Sequence, residues 1–211
     1  MNDEITSNSW LETLLRHLAF LTVAGLIFAL LYPIYARMEE NRLPNMCQSN
    51  LKQMSLAVFQ YSQDYDERLP LINVNDTAIS ATHPLGWADA LQPYLHSPLI
   101  LQCDKERDQD EAKKPGSQGY TDYWYNARLN GLEHKNISSI FSTFMFGDGN
   151  DSTDATNARY SLNSLPAAWA PSKRHREGAN YAFADGHVKW LKPDAITTQK
   201  PDGKNVTFLV K

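Results

Sequence analysis

The chain has 211 residues and a formal net charge of -4, a length that suits one ordinary domain plus an extra element. Hydrophobic residues make up 42% and aromatics 11%, enough for a packed core, while the mild acidity and the lack of any Lys/Arg block exclude a general nucleic-acid binder. The two cysteines, Cys47 and Cys103, allow one disulfide in an oxidising compartment and exclude a Cys-x-x-Cys metal site.

Residues 1–13 read as a short polar leader. From Leu18 to Tyr35 the sequence "LAFLTVAGLIFALLYPIY" carries no charge. As a helix these roughly 18 residues reach about 27 Å, close to a hydrocarbon core of about 30 Å. Tyr32, Tyr35 and Arg37 suit the interface at one end. One transmembrane helix over 14–37 is expected. A cleaved signal peptide competes, but the leader lacks the positive charge of one and the apolar run is longer than a signal core. Arg16 precedes the span while Arg37 and Arg42 follow it. Positive charge therefore does not favour an outside C-terminus, although large domains translocate regardless of nearby charge.

A soluble helix over 38–66 follows. Leu51, Met54, Val58, Tyr61 and Tyr65 recur at spacings of three and four, one apolar helix face. Lys52, Gln53, Gln60 and Gln63 take the opposite side. Pro44 should kink or break the helix, because its ring and missing N–H disturb the preceding turn. Pro70 disfavours helix at Leu69. The globular region spans 67–211. A short helix is expected at 87–95 and a strand at 97–103, with a charged surface loop at 105–119. Strands are expected around "YTDYWYNARL" and "SSIFSTFMFGD", a polar loop over 150–170, and a last strand in "KNVTFLVK".

"RHREGANYAFADGHVKWL" predicts a hairpin over 179–191. Asp185-Gly186 fits a two-residue type I′ turn. That turn pairs Phe183 with Val188 and Tyr181 with Trp190, placing these four on one face and Ala182, His187 and Lys189 on the other. His175, Asp185 and His187, with Asp148, are legitimate metal ligand types. Their spacing matches no zinc signature, so the turn is the expected reading and no metal is assigned. Asp148, Asn150 and Ser152 resemble the start of a calcium loop. Thr153 and Arg159 stand where that loop needs Gly and Glu, so an ordinary polar loop is expected there. No nucleophile elbow or phosphate loop occurs, and no catalytic residue or cofactor is assigned. A Cys47–Cys103 disulfide would pin the soluble helix to the globular region and would require the domain to lie outside the cytoplasm.

In order, "YPIYAR", "CQSNLKQMSLAVFQYSQDYDERLP", "GWADALQPYL", "YWYN" and the His175-x9-Asp185-Gly186 stretch resemble the bacterial type IV pilin-like proteins of the H-x9-DG class, the prepilin-type or type II secretion pseudopilin-like proteins. The resemblance runs from about residue 12 to residue 191. It implies a long N-terminal helix, half in the membrane, on a small antiparallel sheet, and a non-enzymatic role in secretion or surface filaments. It departs at the prepilin peptidase site, where such proteins carry Gly followed by Phe-Thr-Leu-Ile-Glu. Here Leu11 replaces the Gly, Glu12 the Phe and Arg16 the acidic residue. The expectation is a permanently anchored protein that keeps its leader. Arg16 would then pair with the acid of a neighbouring pilin-like subunit or snorkel to the headgroups.

The expected fold is therefore α+β and pilin-like: a helix with a membrane half and an amphipathic soluble half, packed on a small antiparallel β-sheet. The expected place is the bacterial inner (cytoplasmic) membrane, single pass, N-terminus cytoplasmic and C-terminal domain periplasmic or extracellular. Membrane lipid and other pilin-like subunits or secretion-system proteins are the expected partners. The alternative is a membrane-tethered binding module for calcium or a glycan.

Overall fold

The structure is a computed structural model. It describes residues 3–73, 85–103, 113–150, 154–165, 174–175, 177–197 and 206–210. Two compact units divide the chain, Met1–Arg42 and Leu43–Lys211. One helix, α1 (Asp3–Asp64), contributes to both.

In the first unit, Trp10–Met38 is a 29-residue stretch long and apolar enough to cross a membrane. Its Leu18, Phe20, Leu26, Phe28 and Leu30 side chains are all more than half exposed. Such a helix has the make-up of a membrane anchor or a signal sequence. Of the two effects expected of Pro44, a break does not occur: α1 continues through it as helix. A proline removes one backbone hydrogen bond per helix, and the turns on either side hold the conformation.

In the second unit most of the stripe foreseen on α1 is buried: Leu51, Met54 and Val58 are fully enclosed and Tyr61 nearly so, and Cys47 is enclosed with them. Tyr65 is not. The helix ends at Asp64, and Tyr65 stays half-exposed with its ring stacked on Tyr61, centroids 4.2 Å apart. The helix stops because Asp66 and Glu67 turn left-handed, with φ of 52° and 59°, and the Glu67 N–H closes on the Ser62 carbonyl at 2.8 Å. This is the helix-ending device usually given to glycine.

The sheet is built from β1 (Tyr123–Asn126), β2 (Phe144–Asp148), β3 (Ser161–Leu162), β4 (Ala179–Phe183) and β5 (Val188–Leu191), in the order β3-β1-β2-β4-β5. Its pairings are antiparallel except for the short edge strand β3, which runs parallel to β1. Two further strands, β6 (Ile196–Thr197) and β7 (Val206–Thr207), pair parallel in a separate ribbon. A four-residue helix, α2 (Trp87–Ala90), carries Trp87 into the core, where its indole N–H donates to the Tyr160 carbonyl at 2.8 Å. The strand expected at 97–103 is instead a 3-10 turn over Pro98–Leu101. Pro98 opens it and the Ser97 hydroxyl caps it by accepting from the Leu99 N–H, a local bond that competes with extended backbone.

Side chains alternate across the sheet and fill two cores. Tyr123, Tyr125, Phe146, Ala182 and Trp87 pack with the α1 stripe. Trp124, Phe144, Tyr181, Phe183, Leu191 and Phe208 form the second cluster. Phe144 and Phe146 should share a face, yet they fall in different cores. The β2–β4 register shifts between them, and a bulge of this kind inserts the extra residue that changes the side.

The hairpin lies where it was expected but one residue out of register. Ala182 pairs with Val188 and Tyr181 with Lys189. The loop is three residues, Ala184-Asp185-Gly186, closed by the Gly186 N–H on the Phe183 carbonyl and the Phe183 N–H on the His187 carbonyl. Gly186 alone has positive φ, at 84°, and Asp185 does not. Asp-Gly therefore serves a type I turn with a following left-handed glycine rather than a type I′ turn. Phe183 and Tyr181 consequently face the second core, while Ala182, Ala184 and Val188 face α1.

Candidate functional site

The two halves of the His-x9-Asp-Gly stretch do separate jobs, and β4 is the spacer between them. At the front, the His175 N–H donates to the Gly178 carbonyl at 2.7 Å, and the Gly178 N–H returns to the His175 carbonyl at 3.0 Å. This tight turn, with Glu177 at φ 61°, swings the imidazole inward. The Trp190 indole fixes it from β5 by donating to the His175 carbonyl at 2.9 Å.

His175 Nε2 lies 3.2 Å from Asp148 Oδ2, and both side chains are buried. Asp148 ends β2 facing β4, where it accepts from the Asn180 N–H at 3.0 Å and the Asn180 amide at 2.7 Å. Asn180 in turn accepts from Gln48 of α1 at 2.9 Å. A buried carboxylate needs such partners to offset its lost hydration. On its other side His175 Nε2 sits 3.7 Å from Cys103 Sγ. Cys103 is joined to Cys47 of α1 in a disulfide with a Cα–Cα distance of 5.7 Å. The Cys103 N–H donates to Asp122 at 2.8 Å, and buried Arg174 donates to the Asp122 carbonyl at 3.1 Å. The result is a polar brace tying α1, the segment before β1, the end of β2 and the approach to β4.

At the far end, Asp185 Oδ1 accepts from the His187 N–H and also meets His187 Nδ1 at 2.6 Å. The His187 ring stacks on Phe183 at 4.1 Å, not on an open polar face. Lys52 of α1 donates to the Gly186 carbonyl at 2.7 Å. A Cβ on Gly186 would lie 2.7 Å from Phe59, so the turn is pressed against the helix. The residues weighed as metal ligands thus split into two pairs, His175 with Asp148 and His187 with Asp185. Of the calcium candidates, two lie among the described residues. Asp148 points into the brace, Asn150 donates to Asp122 at 3.4 Å, and Ser152 lies outside the described residues. Arg16 is exposed in the apolar part of α1.

Sequence reasoning missed Gln48, Asp122, Arg174 and Asn180. Arg174 immediately precedes the motif, and Asn180 lies within it as a polar residue in the otherwise apolar run of β4. The tyrosines of this region are held protonated. Burial pushes the Tyr123 hydroxyl far up, opposed by the hydrogen bond it accepts from Asn50.

These features define a class: an α+β domain in which a disulfide ties one long helix to the segment before the sheet, beside a buried His–Asp pair. The chain belongs to the SBP_bac_10 family, described as a protein of unknown function (DUF1559), which matches residues 45–163. That stretch takes in both cysteines and Asp148 and ends before His175. No curated protein and no solved structure matches the chain.

Proposed function

We propose that this chain is a pilin-like, non-enzymatic protein anchored in the bacterial inner membrane, with a structural or assembly role in a secretion or surface-filament system. The observation that carries the reading is the single helix α1. Its first part offers an exposed apolar span, and its last turns supply one wall of an α+β core. A span that leaves water and a stripe that enters a domain are what an anchored presenting subunit requires. The Cys47–Cys103 disulfide supports a C-terminal unit on the oxidising side of the membrane, with the N-terminus cytoplasmic. The polar interior is used for bracing: His175 and Asp148 are buried against structural partners rather than offered to a substrate. Other pilin-like subunits or secretion-system proteins are the partners of such a subunit.

Protease added to spheroplasts tests this. The account expects loss of the 43–211 unit while a membrane-held N-terminal fragment survives, and retention of the whole chain in membranes through an alkaline wash. Release by the wash, or full protection of the C-terminal unit until the membrane is broken, would contradict it.

A further inference from the structure

The brace brings together more donor atoms than a disulfide needs. Cys47 Sγ, Cys103 Sγ and His175 Nε2 all lie within 4.8 Å of one another. Asp148 Oδ2 stands 3.2 Å from the same nitrogen. All four residues are buried. Two thiolates, an imidazole and a carboxylate are a zinc donor set.

The spacing fits as well as the chemistry. With zinc–sulfur bonds of about 2.3 Å and zinc–nitrogen and zinc–oxygen bonds of about 2.0–2.2 Å, a tetrahedral site has S···N edges of about 3.6 Å and N···O edges of about 3.3 Å. The Cys103–His175 contact is 3.7 Å and the His175–Asp148 contact is 3.2 Å. Two edges of the tetrahedron therefore stand in place. The sulfur pair must open, which Cα atoms 5.7 Å apart permit by side-chain rotation, and the Asp148 carboxylate, which is not among the atoms that lie within 4.8 Å of one another, must swing from His175 toward the sulfurs. The outer contacts that orient ligands are present too: Asn180 holds Asp148 with two hydrogen bonds, and Gln48 holds Asn180.

We propose that reduction of the Cys47–Cys103 disulfide turns the brace into a site for a thiophilic divalent cation, zinc above all, ligated by Cys47, Cys103, His175 and Asp148. A dithiol reductant supplies two electrons and two protons and leaves as its own disulfide, giving two protein thiols. The cation then displaces both thiol protons to solvent as the two S–metal bonds form. The covalent clasp between α1 and the segment before β1 is replaced by a metal clasp at the same point. This inference stands apart from the membrane reading, since it needs only the second unit's own residues.

The test uses the full chain in detergent, reduced anaerobically with a non-chelating phosphine and titrated with cobalt(II). One equivalent should bind, with a thiolate-to-cobalt charge-transfer band and the intense visible bands of tetrahedral cobalt. The oxidised chain should show neither. His175→Ala should weaken binding by about tenfold or more. Absence of the tetrahedral spectrum in the reduced wild type, or an unchanged affinity in His175→Ala, would overturn the proposal. Should that variant not fold, zinc-edge X-ray absorption of the reduced wild type decides. Two sulfur neighbours and two lighter ones support the site, and fewer than two sulfurs refute it.

Discussion

Gly186 shows how much a single residue can carry. It occupies the left-handed region with φ 84° and faces Phe59 at a distance no side chain tolerates. Gly186→Ala is predicted to cost about 1–2 kcal/mol for the backbone alone, and more unless Phe59 yields, read as a lower urea midpoint with an unchanged slope. Tyr181 is the opposite case. Its hydroxyl is buried with no hydrogen-bond partner among the described residues. An unmet buried polar group is a cost, so Tyr181→Phe is predicted to be neutral or to stabilise by up to about 1 kcal/mol in the same measurement. Gly186 was legible from the sequence, because Asp-Gly between two alternating strands has few other meanings. The Tyr181 hydroxyl was not, since the sequence was read with a two-residue turn and that reading set a register one residue off.

Among the elements, α1 and the hairpin were the most readable. Leu51, Met54 and Val58 lie on the core at helical spacing, and β4 and β5 span the expected residues. What failed were choices that local pattern does not make. Two-residue and three-residue loops both accept Asp-Gly, and "SPLILQC" is apolar enough for a strand although Ser97 and Pro98 start a 3-10 turn. The sequence named Cys47 with Cys103 and grouped His175 and Asp148 with Asp185 and His187, but nothing linked the cysteines to His175 and Asp148. Their meeting is set by how α1 lies on the sheet. The disulfide closes a 56-residue separation, for which chain entropy gives about 4 kcal/mol. The double variant Cys47→Ala/Cys103→Ala is predicted to lose about 2–4 kcal/mol of stability in the second unit by denaturant titration, while the His175–Asp148 pair retains the native near-ultraviolet circular dichroism. Loss of that signal with the fold otherwise intact would show that the disulfide, not the whole brace, positions α1.

At the scale of the whole molecule, the tyrosines set an upper pH limit. Burial, with the charge of Asp89 adding to it, pushes Tyr120 up to about 12 from the usual 10.0, and burial drives Tyr123 and Tyr181 higher still. The unfolded chain releases these protons near the ordinary value while the folded chain keeps them. Between about 10 and about 12 the unfolded state binds fewer protons, so stability is full below that window and falls through it as pH rises. Phenolate absorbance and loss of circular dichroism are therefore predicted to rise together above the ordinary tyrosine range. Ionisation of Tyr120, Tyr123 or Tyr181 in the ordinary tyrosine range with the fold intact, read residue by residue, would contradict their buried placement. The central claim concerns the helix that joins an apolar span to this domain, and it rests on that helix staying whole. Intact-mass spectrometry of the protein extracted from its native membrane tests it most directly. The account predicts a mass near 23.9 kDa, with the leader and span both retained. A chain lacking residues 1–36 would mean that the span is a removed signal, and the anchored reading would be wrong.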